Sequence, residues 1–387
     1  MLDFIYQNKT ELIFGKHDES VIADRIKQLA SKHVFIVYGM NSVVRSGLLK
    51  RITDALSNTK IAYTEYGGVS ANPLRTHADE GIKLARANKA DFVLAVGGGS
   101  VIDAAKYIAM GIVDDNAWSN LVNATTGKPH GKITALPVGA VLTIPAAGSE
   151  SSTACVIKCE TDDTKYSIGS NAIRPVFAFI NPEWCFTLPK PQISYGASDI
   201  FAHMLERYMS PQDNVTLTDE LLEGAMRAML KIAPLTYNDN TSYQYWSEFC
   251  LLGTIAHNGM LCMGRPMQDW GTHRIENRLL SGAHDIAHGA GLAIIFPAWL
   301  KHMATKRPAK IQQFATRVMG QPTTQKGIAA FENWLTSLDL PTRLSHINLD
   351  PATVSAKART EFPPDLIMGA YAELTLDEIL AVIKLAA

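Results

Sequence analysis

Cysteine is scarce in this chain. Five thiols in 387 residues, Cys155, Cys159, Cys185, Cys250 and Cys262, form no CxxC pair and are odd in number. This argues against a disulfide framework or a cysteine-rich zinc knot and favours reduced thiols in a core. Long apolar runs are also missing. GLAIIFPAWL, 291–300, is too short to span a bilayer and contains Pro297. Charge of one sign is missing too: the formal net charge is -1, so neither a nucleic-acid partner nor an anionic membrane is expected. The opening MLDFIYQNKTELIFG alternates apolar with polar residues and lacks the continuous apolar stretch of a secretory leader, so the expected location is the cytoplasm. What is present, 47% hydrophobic and 19% charged residues, suits a globular protein of about two domains.

The first half alternates strands and helices. ELIFG, HVFIVYG, IAYTEYGG and DFVLAV read as strands, with helices near 46–56 and 76–88 and another after GGGS. KITALPVGAVLTIPA, TACVIKC and VFAFI continue the strand-like runs to about residue 180. Apolar strands in a βαβ rhythm predict a mostly parallel sheet covered on both faces. Two prolines in TLPKPQ, 187–192, interrupt this texture, and helical periodicity dominates afterwards. The expected domains are an α/β dinucleotide-binding unit, 1–188, and an all-α unit, 189–387.

LAVGGGSVIDAAK, 94–106, sets Gly97, Gly98 and Gly99 between a buried strand and a helix that Ser100 begins. Without Cβ atoms the backbone can approach a ligand, and the helix N-terminus favours an anion, so a pyrophosphate is the natural occupant. The usual GxGxxG fingerprint is absent. Also absent is an acid after the strand ending at Gly39, where a ribose 2′-hydroxyl would find its acceptor. Asn41, Ser42 and Arg45 stand there as donors. They suit a 2′-phosphate, and they equally suit a role as caps of the next helix.

SDIFAHMLERY, 198–208, poses a second question. Its apolar residues share one side of a helix, and Asp199 and His203 stack four apart on the other. With His273 and His288 from WGTHRIENRLLSGAHDIAHGAGLA they make one carboxylate and three imidazoles, a donor set suited to Fe2+ or Zn2+. Spacing alone leaves a metal site and ordinary surface roles equally open. His257, His302 and His346 are read as surface or capping residues.

The order GGGSVID, TIPAAGSE, SDIFAH, GTHRIE…AHGAGLA resembles the iron-containing (group III) alcohol dehydrogenases, most of all the butanol dehydrogenase and NADPH-dependent aldehyde reductase branch. The likeness runs over nearly the whole chain. It implies a Rossmann-like unit followed by a helical one, the dehydroquinate synthase-like fold. It implies that Asp199, His203, His273 and His288 hold the metal. It places the coenzyme on Gly39, Asn41, Ser42, Asn72, Gly98, Gly99, Ser100, Asp103, Thr143, Ser152, Lys165 and Leu188, with NADP(H) preferred over NAD(H). The implied activity moves hydride between NAD(P)H and a small aldehyde or primary alcohol, in a homodimer. A polyol dehydrogenase, a dehydroquinate synthase-like lyase and an inactive nucleotide-binding protein remain the alternatives.

Three departures from the family pattern stand out. Ala147 in PAAGSE replaces a threonine common in relatives, and Asn277 occupies a position often held by a further histidine. Asn277 cannot act as an acid near neutral pH, so a proton would travel through water and a ribose hydroxyl. The span from His273 to His288, 15 residues (288 − 273), is one longer than usual. The extra residue is expected in the loop 281–285, leaving His288 rather than His284 as the ligand. Gly289 and Gly291 are expected to leave room beside a nicotinamide.

Overall fold

The computed structural model describes residues 1–211, 215–265 and 267–387. Its strands are β1 (Glu11–Phe14), β2 (His33–Gly39), β3 (Ala62–Val69), β4 (Phe92–Gly98), β5 (Val138–Ile144), β6 (Ala154–Cys159), β7 (Thr164–Gly169) and β8 (Phe177–Ile180). Six of them form one sheet in the order β1-β8-β5-β4-β2-β3, parallel throughout. The parallel sheet expected from the apolar runs is therefore present. Residues of β4 are buried without exception, as a central strand covered on both faces requires. One face rests on Ile22, Ile26, Leu48, Ile52 and Leu56 from the helices Ser20–Gln28 and Leu48–Asn58. Each such side chain contributes about 1.5–3 kcal/mol by leaving water.

TACVIKC also forms a strand, but outside this sheet. As β6 it pairs antiparallel with β7, and its buried residues alternate. That alternation marks a ribbon with one covered face.

Contacts divide the chain into two units, Gln7–Phe186 and Met1–Tyr6 with Thr187–Ala387. The second is helical. Its central helix, Lys190–Tyr208, packs against Thr216–Asn238, Tyr243–His257 and His288–Lys306. From residue 193 to 208 every position except Tyr195 is buried. A helix covered all round belongs to a core, so the side carrying Asp199 and His203 does not face bulk water. No described helix is long and apolar enough to cross a membrane.

Candidate active site

Asp199 and His203 lie one turn apart on the central helix, 5% and 4% exposed. His273 comes from the short helix Gly271–Glu276 and His288 from the first position of His288–Lys306. Three imidazole nitrogens converge on Asp199 Oδ1: His203 Nδ1 at 3.6 Å, His288 Nε2 at 3.7 Å and His273 Nε2 at 3.8 Å. Donor atoms of Asp199, His273 and His288 lie within 4.8 Å of one another. His203 stands beside this trio, its ring stacked on His273 with centroids 4.9 Å apart.

Asp199 Oδ1, His203 Nδ1 and His273 Nε2 are buried and lack a hydrogen-bond partner among the described residues. Burying such atoms unpaired costs roughly 1–3 kcal/mol each. Their convergence on one point is the arrangement a cation would satisfy. One carboxylate and three imidazoles suit a borderline divalent ion such as Fe2+ or Zn2+. The residues present therefore fit a metal.

Each of two histidines also has a carboxylate at its far nitrogen. His273 Nδ1 meets Glu206 Oε1 at 2.9 Å, and His288 Nδ1 bonds Glu276 Oε2. Reading the residues alone missed both acids, although each follows a candidate ligand by three positions, as His203-x-x-Glu206 and His273-x-x-Glu276. His257 was also misjudged. It is not a surface cap: it ends the helix Tyr243–His257 with its ring 4.3 Å from that of His203. Trp270 packs edge-to-face with His273 and His203, with centroids 5.1 and 5.9 Å away. His302 and His346 make local contacts, with Glu378 and the Thr342 amide respectively.

After Glu276 the helix widens into a π turn, Asn277–Ser281, closed by the Gly282 amide donating to the Asn277 carbonyl at 3.1 Å. A π turn holds one residue more than an α turn, so this turn, like the loop 281–285, has room for an extra residue. Packing also requires glycine at 289 and 291. A Cβ on Gly289 would collide with the Tyr195 backbone, and one on Gly291 with the Glu276 carboxyl.

Burial holds the His203 imidazole well below its usual range, and His257 and His273 beside it add to the shift. Burial also works against protonated His273, but the Asp199 and Glu206 carboxylates outweigh it and push its pKa up to about 9.

In the α/β unit, β2 connects outward to β3 while its neighbour β4 connects to the other side, through β5. Gly39 ends β2 and Gly97 and Gly98 end β4, so both lie at the topological switch point, where such sheets bind ligands. The helix Gly99–Val113 begins there, with Ser100 in its first turn. Side chains on Gly97, Gly98 or Gly99 would collide with Val101, Ile144 or Ala147. Ala147 therefore lies against the turn, its methyl facing Gly99.

Asn41 and Ser42 are exposed at the start of the short helix Ser42–Arg45, and the Asn41 side chain makes no capping bond. Asn72 follows β3 with φ 54°. Thr143 is buried in β5, Lys165 lies on the hairpin strand β7, and Leu188 precedes the central helix. Asp103 and Ser152 serve the loop 145–153. Asp103 accepts from Ser149 Oγ and from the Val156 amide. Lys106, fully buried, donates to the carbonyls of Ser149, Ser152 and Ala154 at 2.7, 3.1 and 2.7 Å. Lys106 was not singled out from sequence, although it closes the same glycine motif.

Two family models cover the chain: iron-containing alcohol dehydrogenase over residues 9–182, and the C-terminal part of the Fe-containing alcohol dehydrogenase family over 193–387. NADH-dependent butanol dehydrogenase A of Clostridium acetobutylicum is 31% identical, over 99% of both chains. The NADPH-dependent aldehyde reductase YqhD of Escherichia coli is 34% identical, over 92% of each. A crystal structure of NADH-dependent butanol dehydrogenase A from Thermotoga maritima matches with a TM-score of 0.94 at 33% identity, covering 100% of this chain and 99% of that one.

Proposed function

The chain belongs to the iron-containing alcohol dehydrogenase family, and from that premise we propose that it is an NAD(P)H-dependent alcohol dehydrogenase acting on small aldehydes and primary alcohols. The observation that carries this reading is the set of buried, unpartnered donor atoms around Asp199 Oδ1.

Asp199, His203, His273 and His288 would hold one divalent ion, iron or zinc. Such an ion supplies Lewis-acid polarisation of a carbonyl oxygen, and the reduced nicotinamide supplies the hydride. The protein's own part is to hold and orient. Asp199 contributes the one negative charge among the four donors, which sets the charge of the centre. Gly97, Gly98 and Gly99 keep the turn clear of Cβ atoms, and the helix N-terminus at Ser100 favours a pyrophosphate. Lys106 and Asp103 fix the loop 145–153 beside it. Asn277 gives its carbonyl to the π turn and offers no acid.

NADPH is the preferred coenzyme in this reading, because no acid follows Gly39 and Asn41, Ser42 and Arg45 are exposed donors. The named relatives include both NADH- and NADPH-dependent enzymes, so the preference rests on these residues alone. The reading also takes the protein as a cytoplasmic homodimer, which light scattering of the purified protein would check. The direct test follows the loss of reduced-nicotinamide absorbance with butanal in metal-loaded protein. Oxidation of NADPH faster than of NADH is expected. Binding of coenzyme without any turnover would leave only a nucleotide-binding role.

A further inference from the structure

Two buried carboxylates near the candidate ligands are not ligands themselves. Glu206, 1% exposed, accepts through Oε1 from Thr272 Oγ1, from the His273 amide at 3.1 Å and from His273 Nδ1 at 2.9 Å. Glu276, 0% exposed, accepts through Oε2 from Ser281 Oγ at 3.1 Å and from His288 Nδ1. In both histidines the opposite nitrogen, Nε2, is the one turned toward Asp199.

A neutral imidazole has one N–H. A carboxylate at Nδ1 places the proton there and leaves the Nε2 lone pair for an ion. The bonds also run from helix to helix. Glu206, on Lys190–Tyr208, grips His273 and Thr272 at the start of Gly271–Glu276. Glu276 ends that short helix and grips His288 at the start of the next. Two local features serve the second grip. Gly291 has no Cβ where the Glu276 carboxyl lies. The π turn Asn277–Ser281 brings the Ser281 hydroxyl onto Glu276, which an α-helix at five-residue spacing would not do.

Resting on the metal-centre reading above, we propose that Glu206 and Glu276 are positioning residues that act in series. Glu206 fixes His273 together with the helix that carries Glu276, and Glu276 fixes His288. The series makes the two unequal. Loss of Glu206 disturbs both imidazoles, whereas loss of Glu276 disturbs His288 alone.

The test uses the full chain and its Glu206→Gln and Glu276→Gln variants, stripped of metal and titrated with Zn2+ and with Co2+. The Kd for Zn2+, the visible absorption of the Co2+ form and the imidazole 1H–15N spectra of the Zn2+ form are recorded. Zinc binding is expected to weaken about 10–100-fold, more for Glu206→Gln, with altered Co2+ bands in both. Native Zn2+ protein should show His273 and His288 protonated at Nδ1. Glu276→Gln should displace one of these signals and Glu206→Gln both. Unchanged affinities and bands overturn the proposal, as do native imidazoles protonated at Nε2 or a Glu276→Gln effect that reaches His273. If either glutamine variant fails to fold, Ser281→Ala takes its place, with the His288 signal alone expected to move. A native chain that binds neither ion defeats the metal reading itself, while native binding with indifferent variants defeats only the series.

Discussion

At the end of β4, three consecutive glycines make a turn in which each Cβ is forbidden by a neighbour from the same unit. Around Asp199 the donors come from three helices and are separated by up to 89 residues (288 − 199). The first site is made of backbone, and a short contiguous stretch is enough to specify it. The second is made of side chains, and it exists only once the helices are packed. A backbone site tolerates little change of shape but needs no particular functional group. A side-chain site depends on the identity of every donor. The two regions should therefore fail differently when altered.

The sharpest contrast is expected from Asp199→Ala. Removing the only carboxylate among the four donors leaves three neutral imidazoles for a dication. The protein should lose bound metal, and with it several kcal/mol of charge stabilisation, on the order of 10³-fold in turnover. NADPH affinity, measured by fluorescence titration, should change little. Full activity in a rigorously metal-free sample would break the comparison at its root.

Lys106→Met should produce the reverse pattern. The ammonium satisfies the carbonyls of Ser149, Ser152 and Ala154 while fully buried, and burial above all pulls its pKa down. Methionine fills similar space but leaves those carbonyls unpaired, at a cost of roughly 3–5 kcal/mol in stability. Chemical denaturation should show that loss and coenzyme titration a weakened affinity, while metal content stays at the native level. Native stability in the variant would mean that the loop is not held by this side chain.

The two buried histidines should separate by pH in metal-free protein. His203 has a depressed folded pKa, so its contribution is present above the ordinary imidazole value near 6.5 and is lost as pH falls below it. His273 is raised to about 9, so its contribution is present below about 6.5 and is lost as pH rises through about 9. Thermal unfolding across this range should give a maximum near neutrality with decline on both sides. A profile flat from pH 5 to pH 9 would contradict both assignments. Glycine-turn variants should leave this profile unchanged, because no histidine lies in that turn.

The glycine turn, the parallel sheet and the helical second half were legible because periodicity and contiguous motifs encode them directly. The four candidate ligands were visible as residue types, but spacing could not assemble them. Glu206 and Glu276 were passed over because an acid on a helix is ordinarily solvated, and only the burial of the whole central helix changes that expectation. The pattern His-x-x-Glu, present at the candidate ligands His203 and His273 and also at His77, was the available signal. His257 was misread because its helix ends against His203, a contact between segments 54 residues apart (257 − 203). The π turn was illegible for a different reason: residue types alone do not distinguish a widened helix from an ordinary one, and only the bond from Gly282 to Asn277 reveals it.

The smallest effect expected is on coenzyme choice, at the rim of the backbone-built site. Asn41 is exposed, its carbonyl accepts the Arg45 amide at 2.9 Å, and its side chain makes no cap. The amide group is therefore available to a ligand at the carboxyl end of β2, one strand from the glycine turn. A 2′-phosphate placed there would gain a donor from Asn41. Asn41→Asp keeps the size of the side chain, removes the donor and adds a negative charge. Repulsion between two exposed charges about 4 Å apart is worth about 1 kcal/mol in water, and the lost hydrogen bond about 0.5–1.5 kcal/mol. Together these should move the NADPH to NADH ratio of kcat/KM by at least ten-fold toward NADH. The same carboxylate would accept from a 2′-hydroxyl, so the absolute value with NADH should rise and not merely persist. Metal content and stability should not change, since the residue is remote in sequence from every candidate ligand and touches no core. A native enzyme with equal kcat/KM for both coenzymes, or a variant with an unaltered ratio, would remove Asn41 from the coenzyme site and leave that site defined by the glycine turn alone.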